Sequence, residues 1–325
     1  MRVLFIGGTG NISTSVSKLC VERGIDLFLL NRGTRKTDIT GITKITGDIN
    51  SNAIYQNLKK HNWDVVVNWI AFTPKDIERD IKLFSNKIKQ YIFISSASVY
   101  QKPPLHPIIT ESTPLYNPFW DYSQNKIACE EKLMQAYRNE HFPITIVRPS
   151  YTYDTIIPLP FGSGSEYTII DRIKKGQKVI VHGDGTSLWV MTHSSDFAKG
   201  FVGLIGHQQA IGNAFHITSD ELLTWNQIFE AIGNAVGHRV KIVHISSDFL
   251  CSYDKSFTGP LLGDKSYSVI FDNSKIKTYV LDYCATVPFS EGIKRTLDWF
   301  EEKPERMIIK KETNKWIDGI IKSYE

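Results

Sequence analysis

An α/β protein built around a doubly wound parallel sheet is what this sequence predicts, and three observations predict it. Short apolar runs without alternation stand at Val3 to Ile6, Leu27 to Leu30, Val65 to Trp69, Ile92 to Ile94 and Ile144 to Val147, as in strands covered on both faces. Helical spacing separates them: Ile12, Val16, Leu19 and Cys20 recur at three- and four-residue intervals and form one apolar stripe. The first strand opens directly into Gly7-Gly8-Thr9-Gly10, a glycine turn between strand and helix. Repeated βαβ units of this kind make a Rossmann-type sheet.

After Arg148 the chain turns to Pro- and Gly-punctuated segments such as IIPLPFGSGS, with shorter elements, which predicts a smaller C-terminal substrate lobe. The expected division gives residues 1–157 to the dinucleotide-binding domain, joined by returning segments at about 192–220 and 268–283. Residues 158–191, 221–267 and 284–325 then form the lobe. The charged stretch from Glu301 to Glu325 reads as a peripheral helix.

With 42% hydrophobic and 22% charged residues, the 325-residue chain has the composition of an ordinary folded protein. The formal charge of +4 is modest and the basic residues are scattered, so nucleic-acid binding is not indicated. Cys20, Cys129, Cys251 and Cys284 lie far apart with no Cys or His at metal-ligand spacing, so no zinc site or disulfide framework is expected, and a reducing cytoplasm fits. The start MRVLFIGG runs straight into a strand, and nowhere do 18 apolar residues follow one another. A soluble protein with no signal peptide and no membrane contact is therefore expected.

The glycine turn carries the first chemistry. Gly7, Gly8, Thr9, Gly10, Asn11 and Ile12 would let the backbone approach a pyrophosphate, whose charge the following helix N-terminus meets. Ser13 stands where a third glycine is usual and adds a side chain near the phosphates. After the second strand comes Asn31-Arg32-Gly33-Thr34-Arg35-Lys36, without the acidic residue that would hold a ribose 2′-hydroxyl. Arg32, with Arg35 or Lys36, can pair with a 2′-phosphate, which puts NADP ahead of NAD as cofactor. Asp48 is placed to accept from the adenine amine, with Ile49 beside it.

The second set lies at the start of a helix running through Cys129, Leu133 and Tyr137. Tyr122 and Lys126 are four residues apart and so share one helix face. A neighbouring ammonium favours the phenolate and is expected to bring a tyrosine towards the working range of an acid/base. Upstream, Ser95-Ser96-Ala97-Ser98-Val99-Tyr100 ends a central strand, where a serine hydroxyl faces the ligand crevice and can polarise a carbonyl.

GGTGNIS, VVVNWIA, SSASVY, YSQNK and VRPSYTY, in that order, resemble the extended short-chain dehydrogenase/reductase family, also called NAD-dependent epimerase/dehydratase. HGDGTSLWVMTHSSDFAKGF, FDNSKIK and EGIKRTLDWF extend the resemblance over nearly the whole chain. It implies Ser96 as hydroxyl partner, with Ser98 as the fallback, Tyr122 as acid/base and Lys126 as its cofactor-orienting companion. Ala71, Ser95 and Pro149 complete the cofactor set, while Thr73, Ser98, Tyr100 and Trp189 are expected towards the substrate. A homodimer through the Tyr122 helix and the helix before it is also implied.

Three departures bear on substrate. Where nucleotide-sugar enzymes of the family carry an arginine after GDG, this chain has Trp189, and Leu261-Leu262 precede Gly263-Asp264 where a second arginine is expected. Neither replacement can fork onto a diphosphate, so a bare or differently held sugar gains ground. Trp189 would stack on a sugar or fill the core. Ala97-Ser98 stand where sugar 4,6-dehydratases need an Asp-Glu pair, which argues against elimination. What remains is an NAD(P)-dependent sugar or nucleotide-sugar epimerase or oxidoreductase working through a keto intermediate. An NADP-dependent reductase or dehydrogenase of a non-nucleotide compound is the alternative, and an RNA-binding or redox-sensing relative without turnover is a third. His193 and Asp196 read as part of a helix start capped by Thr192 or Ser194, and His182 and His216 as structural.

Overall fold

The computed structural model describes residues 1–34 and 38–325, so Arg35 and Lys36 lie outside the described residues. In the first half the elements are β1 (Arg2–Ile6), α1 (Ser13–Glu22), β2 (Asp26–Asn31), β3 (Thr43–Thr46), α2 (Asn52–Leu58), β4 (Val65–Asn68), α3 (Pro74–Phe84), β5 (Gln90–Ile94), β6 (Ile108–Ile109), α4 (Asp121–Glu140) and β7 (Ile144–Pro149). Then follow β8 (Tyr151–Tyr153), α5 (Thr168–Lys174), β9 (Lys178–His182), β10 (Leu188–Trp189), β11 (Met191–His193), α6 (Ser194–Leu204), β12 (Ala214–Ile217), β13 (Leu223–Thr224), α7 (Trp225–Ala235), β14 (Lys241–Ile245), α8 (Ser247–Tyr253) and β15 (Ile270–Phe271).

Seven parallel strands form the central sheet in the order β12-β7-β5-β4-β1-β2-β3. Every strand foreseen from an apolar run is in it, while β12 contains a histidine and carries no such run, so pairing with β7 rather than local sequence makes it a strand. Strand order reverses between β1 and β4, and the carboxyl ends of all seven point the same way, which opens a crevice at that switch point.

Both faces are covered. One core joins α1 and α6 through Val16, Cys20, Phe197 and Phe201; the other joins α3 and α4 through Ile77, Leu83, Cys129 and Leu133. A third core belongs to the later part of the chain, where β9 pairs with β14 and Trp189, Trp225, Phe161 and Ile317 pack together. The expected peripheral helix is Lys311–Tyr324, anchored by Ile317, Ile320 and Ile321.

The homodimer that the resemblance implies would use the outer surface of α3 and α4. Ile77, Leu83, Cys129 and Leu133 are buried against the sheet, Ile81, Ile127, Met134 and Tyr137 are partly buried, and among the described residues no fully exposed large hydrophobic lies on either helix. An ion pair, Lys132 to Glu78, bridges them at 2.5 Å on the outer side. No helix among the described residues is long and apolar enough to cross a membrane.

Candidate active site

A cleft of about 750 Å³ follows the carboxyl ends of β1, β2, β4 and β5. Its floor is the glycine turn. Gly7 and Gly8 have φ of +97° and +106°, and a Cβ on Gly8 would lie 2.8 Å from Leu29 Cδ2, so a side chain there is excluded twice over. Gly10 N donates to Ser13 Oγ at 2.8 Å, Thr14 Oγ1 to Gly10 O at 2.8 Å and Ser17 Oγ to Gly8 O at 2.9 Å, fixing the turn on the first turn of α1. Ser13 thus faces the turn it stabilises. Asn11 donates through Nδ2 to Thr152 O at 3.0 Å, while its buried Oδ1 has no protein partner, the kind of polar atom a ligand can satisfy.

Asn31, Arg32, Asp48 and Ile49 line the far end of the same cleft. Asp48 Oδ1 accepts from Asn50 N at 2.8 Å, so it also shapes its own loop. Arg79 on α3, which motif reading passed over, reaches this end: Nη1 donates to Asn50 Oδ1 at 2.7 Å, and the guanidinium pairs with Asp76 at 3.2 Å and Asp80 at 2.8 Å. Its signal in the sequence is slight, since an arginine five residues into an amphipathic helix normally marks a solvated face.

At the other end stand Ser95, Ser96, Tyr122, Lys126 and Pro149. The Lys126 ammonium is buried and donates to the carbonyls of Ala71 and Ile94, each at 2.7 Å, beyond the ends of β4 and β5. Phe72 and Phe93 face it at 4.6 and 4.9 Å, and the Tyr122 ring centroid lies at 5.8 Å. Burial lowers its pKa to about 8, against the pull of Cys129, Glu130 and Asp76. Ala71 therefore meets the site through its carbonyl and not through the cleft wall.

Ser96 Oγ and Ser98 Oγ lie 2.9 Å apart, and Ser123 Oγ donates to Ser98 Oγ at 2.7 Å. Burial raises the Tyr122 pKa, a hydrogen bond with Ser96 lowers it and the Asp264 carboxylate raises it. Burial, and not the expected downward pull by Lys126, governs this phenol. Behind these groups Ser95 Oγ donates to Glu130 at 2.5 Å, and Arg148 forks onto Glu130 at 3.0 and 2.6 Å, tying β5, α4 and β7 together.

A second cavity of about 250 Å³ shares Ser96, Tyr122, Pro149 and Ser150 with the first and adds Ser98, Trp120, Tyr151, Asp264 and Lys265. Tyr122 is therefore on the wall common to both. Of the residues expected towards substrate, Ser98 lines this space and three do not. Trp189 is 2% exposed and packs on Trp225 at 5.5 Å, so it fills core. Tyr100 is buried and donates to His216 Nδ1 at 3.0 Å, since His216 Nε2 must donate to the Asp272 carbonyl at 2.8 Å. Thr73 caps α3, its N and Oγ1 both donating to Asp76 Oδ2, at 3.0 and 2.9 Å.

At α6 the cap is His193 rather than Thr192 or Ser194: Ser195 N donates to His193 Nδ1 at 3.3 Å. Asp196 is in the first turn but buried, and accepts from Thr286 N and Val287 N at 3.0 and 2.8 Å. Burial lowers the pKa of His216, and that of His182 to about 4, in keeping with neutral packed rings.

The model of the family described as NAD dependent epimerase/dehydratase matches residues 3–218. Among curated proteins, the chloroplast stem-loop binding protein of 41 kDa b of Arabidopsis thaliana is 25% identical over 261 residues, a match covering 75% of this chain and 65% of that one. A UDP-N-acetyl-alpha-D-glucosaminuronate decarboxylase of Bacillus cytotoxicus is 23% identical over 328 residues, covering 93% and 98% respectively. Among solved structures, the epimerase Mth375 of Methanothermobacter thermautotrophicus aligns with a TM-score of 0.76 at 17% identity over 94% of each chain. UDP-glucuronic acid 4-epimerase from Bacillus cereus, in complex with UDP-glucuronic acid and NAD, aligns with a TM-score of 0.74 at 18% identity, covering 93% of this chain and 99% of that one. Likeness at these identities establishes the fold.

Proposed function

Because the chain belongs to the NAD dependent epimerase/dehydratase family, we propose that it is an NAD(P)-dependent epimerase or oxidoreductase that works on a sugar or nucleotide sugar through a keto intermediate. One observation carries this reading: Tyr122 lies on the wall shared by a dinucleotide-sized cleft and a smaller cavity, beside the pinned Lys126. The glycine turn and the α1 N-terminus suit a pyrophosphate, and the unpartnered Asn11 Oδ1 suits an O–H or N–H donor of the dinucleotide, with Asp48 and Ile49 at the adenine. Arg32 favours a 2′-phosphate and hence NADP ahead of NAD.

When bound, the nicotinamide supplies the hydride acceptor and donor. Tyr122 acts in its phenolate form, taking the proton of the substrate hydroxyl as the carbonyl forms, and as the neutral phenol returns it on reduction. Ser96 has one hydroxyl hydrogen: in the empty site its hydrogen bond to Tyr122 partly offsets the rise that burial imposes on the phenol pKa, and with substrate bound it donates to the developing carbonyl oxygen instead. Lys126 has three N–H donors, two of them given to Ala71 O and Ile94 O, leaving one for a ribose hydroxyl. Those two carbonyls fix the ammonium between the sheet and the phenol.

Tyr122→Phe is expected to reduce turnover by at least about 10²-fold while dinucleotide affinity stays within a factor of about two. Lost binding in a folded variant would count against the assignment, and titration of the parent with NADP and NAD reads the cofactor preference. The stem-loop binding relative raises a second reading, nucleic-acid binding without turnover. Ser96, Tyr122 and Lys126 all remain in place, which favours the enzyme, and an RNA shift assay across a salt series separates the two.

A further inference from the structure

The smaller cavity has a composition that the hydride-transfer reading does not use. Its back wall is the segment Leu261–Lys265, a single π-helical turn, the kind of irregularity that recurs at functional sites. Neighbours on two sides hold this turn. Asn117 Nδ2 donates both to Gly263 O and to Ser98 O, each at 2.7 Å, and His182 Nε2 donates to Lys265 O at 2.9 Å. Trp120 lies against it so closely that a Cβ on Gly263 would come within 3.1 Å of the Trp120 Cβ. The result presents Asp264 and Lys265 to the same space as Ser98, Trp120 and Tyr122.

Lys265 is 9% exposed, and its ammonium pairs with Asp264 at 3.1 Å. Tyr151 faces the ammonium at 4.9 Å, Trp189 at 5.8 Å and Trp120 at 5.9 Å. Lys102, 2% exposed, feels both groups from a distance: burial lowers its pKa, Asp264 raises it and Lys265 lowers it. The Lys265–Asp264 pair is neutral as a whole, but its ammonium stands inside aromatic walls where water screens it poorly, so an anion that reaches it interacts more strongly than it would in water. Leu261 and Trp189, which stand where diphosphate-holding arginines are expected, are packed and carry no charge, so no arginine fork is offered there. The space, about 250 Å³, is a third of the neighbouring cleft.

We propose that this cavity selects a monosaccharide-sized, hydroxylated substrate bearing a carboxylate or phosphate, which Lys265 receives while the face of the sugar rests on Trp120. The proposal rests on the reading of Tyr122 as the acid/base, since it gives that residue its substrate. Lys265 is then a specificity-determining residue and Asp264 its counterweight. Asp264 holds the ammonium in place and balances its charge while the pocket is empty.

Calorimetric titration of the full chain, with and without saturating NADP, against glucose, glucuronate, glucose 6-phosphate and UDP-glucose tests it. At least one of glucuronate and glucose 6-phosphate is expected to bind about tenfold or more tighter than glucose, and which of them is tighter identifies the anion. Lys265→Met should bring both within about twofold of glucose, Lys265→Arg should keep the preference, and Asp264→Asn should tighten the anionic sugar severalfold by removing the competing carboxylate. A merely structural Lys265–Asp264 pair would weaken binding in both charge-removing variants alike. Equal affinity for glucose and the two anionic sugars, a preference that survives Lys265→Met, or UDP-glucose binding about tenfold tighter than either anionic sugar would each overturn the proposal. Failure of NADP to bind would speak against the hydride-transfer reading alone, because the titrations without it still read the pocket.

Discussion

Lys126 shows how one buried residue can be both chemically apt and thermodynamically costly. Burial is the main reason its pKa falls from 10.5 to about 8. Below about pH 8 the lysine is charged in the folded and unfolded states, and the folded state bears the full cost of desolvation. Between about 8 and 10.5 the folded state releases its proton first, so stability rises with pH across that window, by about 3 kcal/mol in total. Against Lys126→Met, which has no such proton, denaturant unfolding should show the parent gaining ground from pH 8 to 10.5. The slope of that difference is the test, since methionine also leaves the Ala71 and Ile94 carbonyls unpaired; a difference independent of pH would refute the assignment.

At the scale of elements, the site is held by two joints. The first is the β1–α1 turn, where Gly8→Ala must accept φ of +106° and a contact of 2.8 Å with Leu29. A cost of about 1–3 kcal/mol is expected, with weaker dinucleotide binding, measurable as a lowered unfolding midpoint and a raised Kd. The second is the buried Glu130–Arg148 fork that locks α4, which bears Tyr122 and Lys126, to β7. Glu130→Gln leaves a guanidinium buried without its counter-charge and should cost about 3–5 kcal/mol, with activity falling at least as far as stability in a chemical-denaturation series. A near-neutral effect would mean that α4 is held by its apolar stripe alone.

For the molecule as a whole, the outward surface of α3 and α4 matters most. It bears the Lys132–Glu78 pair and, among the described residues, no fully exposed large apolar side chain. A stable association through this face would bury only partly exposed apolar side chains around that pair. Sedimentation at micromolar concentration reads the expected homodimer: dissociation on charge reversal at Glu78 and Lys132 would place the contact on this face, and a tight dimer that survives it would show that another face is used. The third apolar core gathers Phe161, Trp189, Trp225, Ile317 and their neighbours largely apart from the two that cover the sheet, which is the physical content of the proposed two-lobe division.

The fold was legible in the sequence because its signals are local. Buried parallel strands are continuous apolar runs, α1 shows its stripe, and only glycine tolerates the φ of the first βα turn. Tyr122 and Lys126 were legible for the same reason, being one helical turn apart. What lay beyond the sequence were arrangements that depend on residues far apart in the chain. Trp189 goes to the core because Trp225 meets it there, Tyr100 because His216 does, and β12 is a strand because β7 pairs with it. Lys265 faces Trp120 across some 145 residues of chain, and Arg79 reaches Asn50 across 29. The sequence by itself determined the sheet, the turn and the phenol–ammonium pair, each set by backbone preference and periodicity. Only the tertiary structure decided which side chains share a cavity with them, because that depends on loop closures whose partners no local pattern specifies.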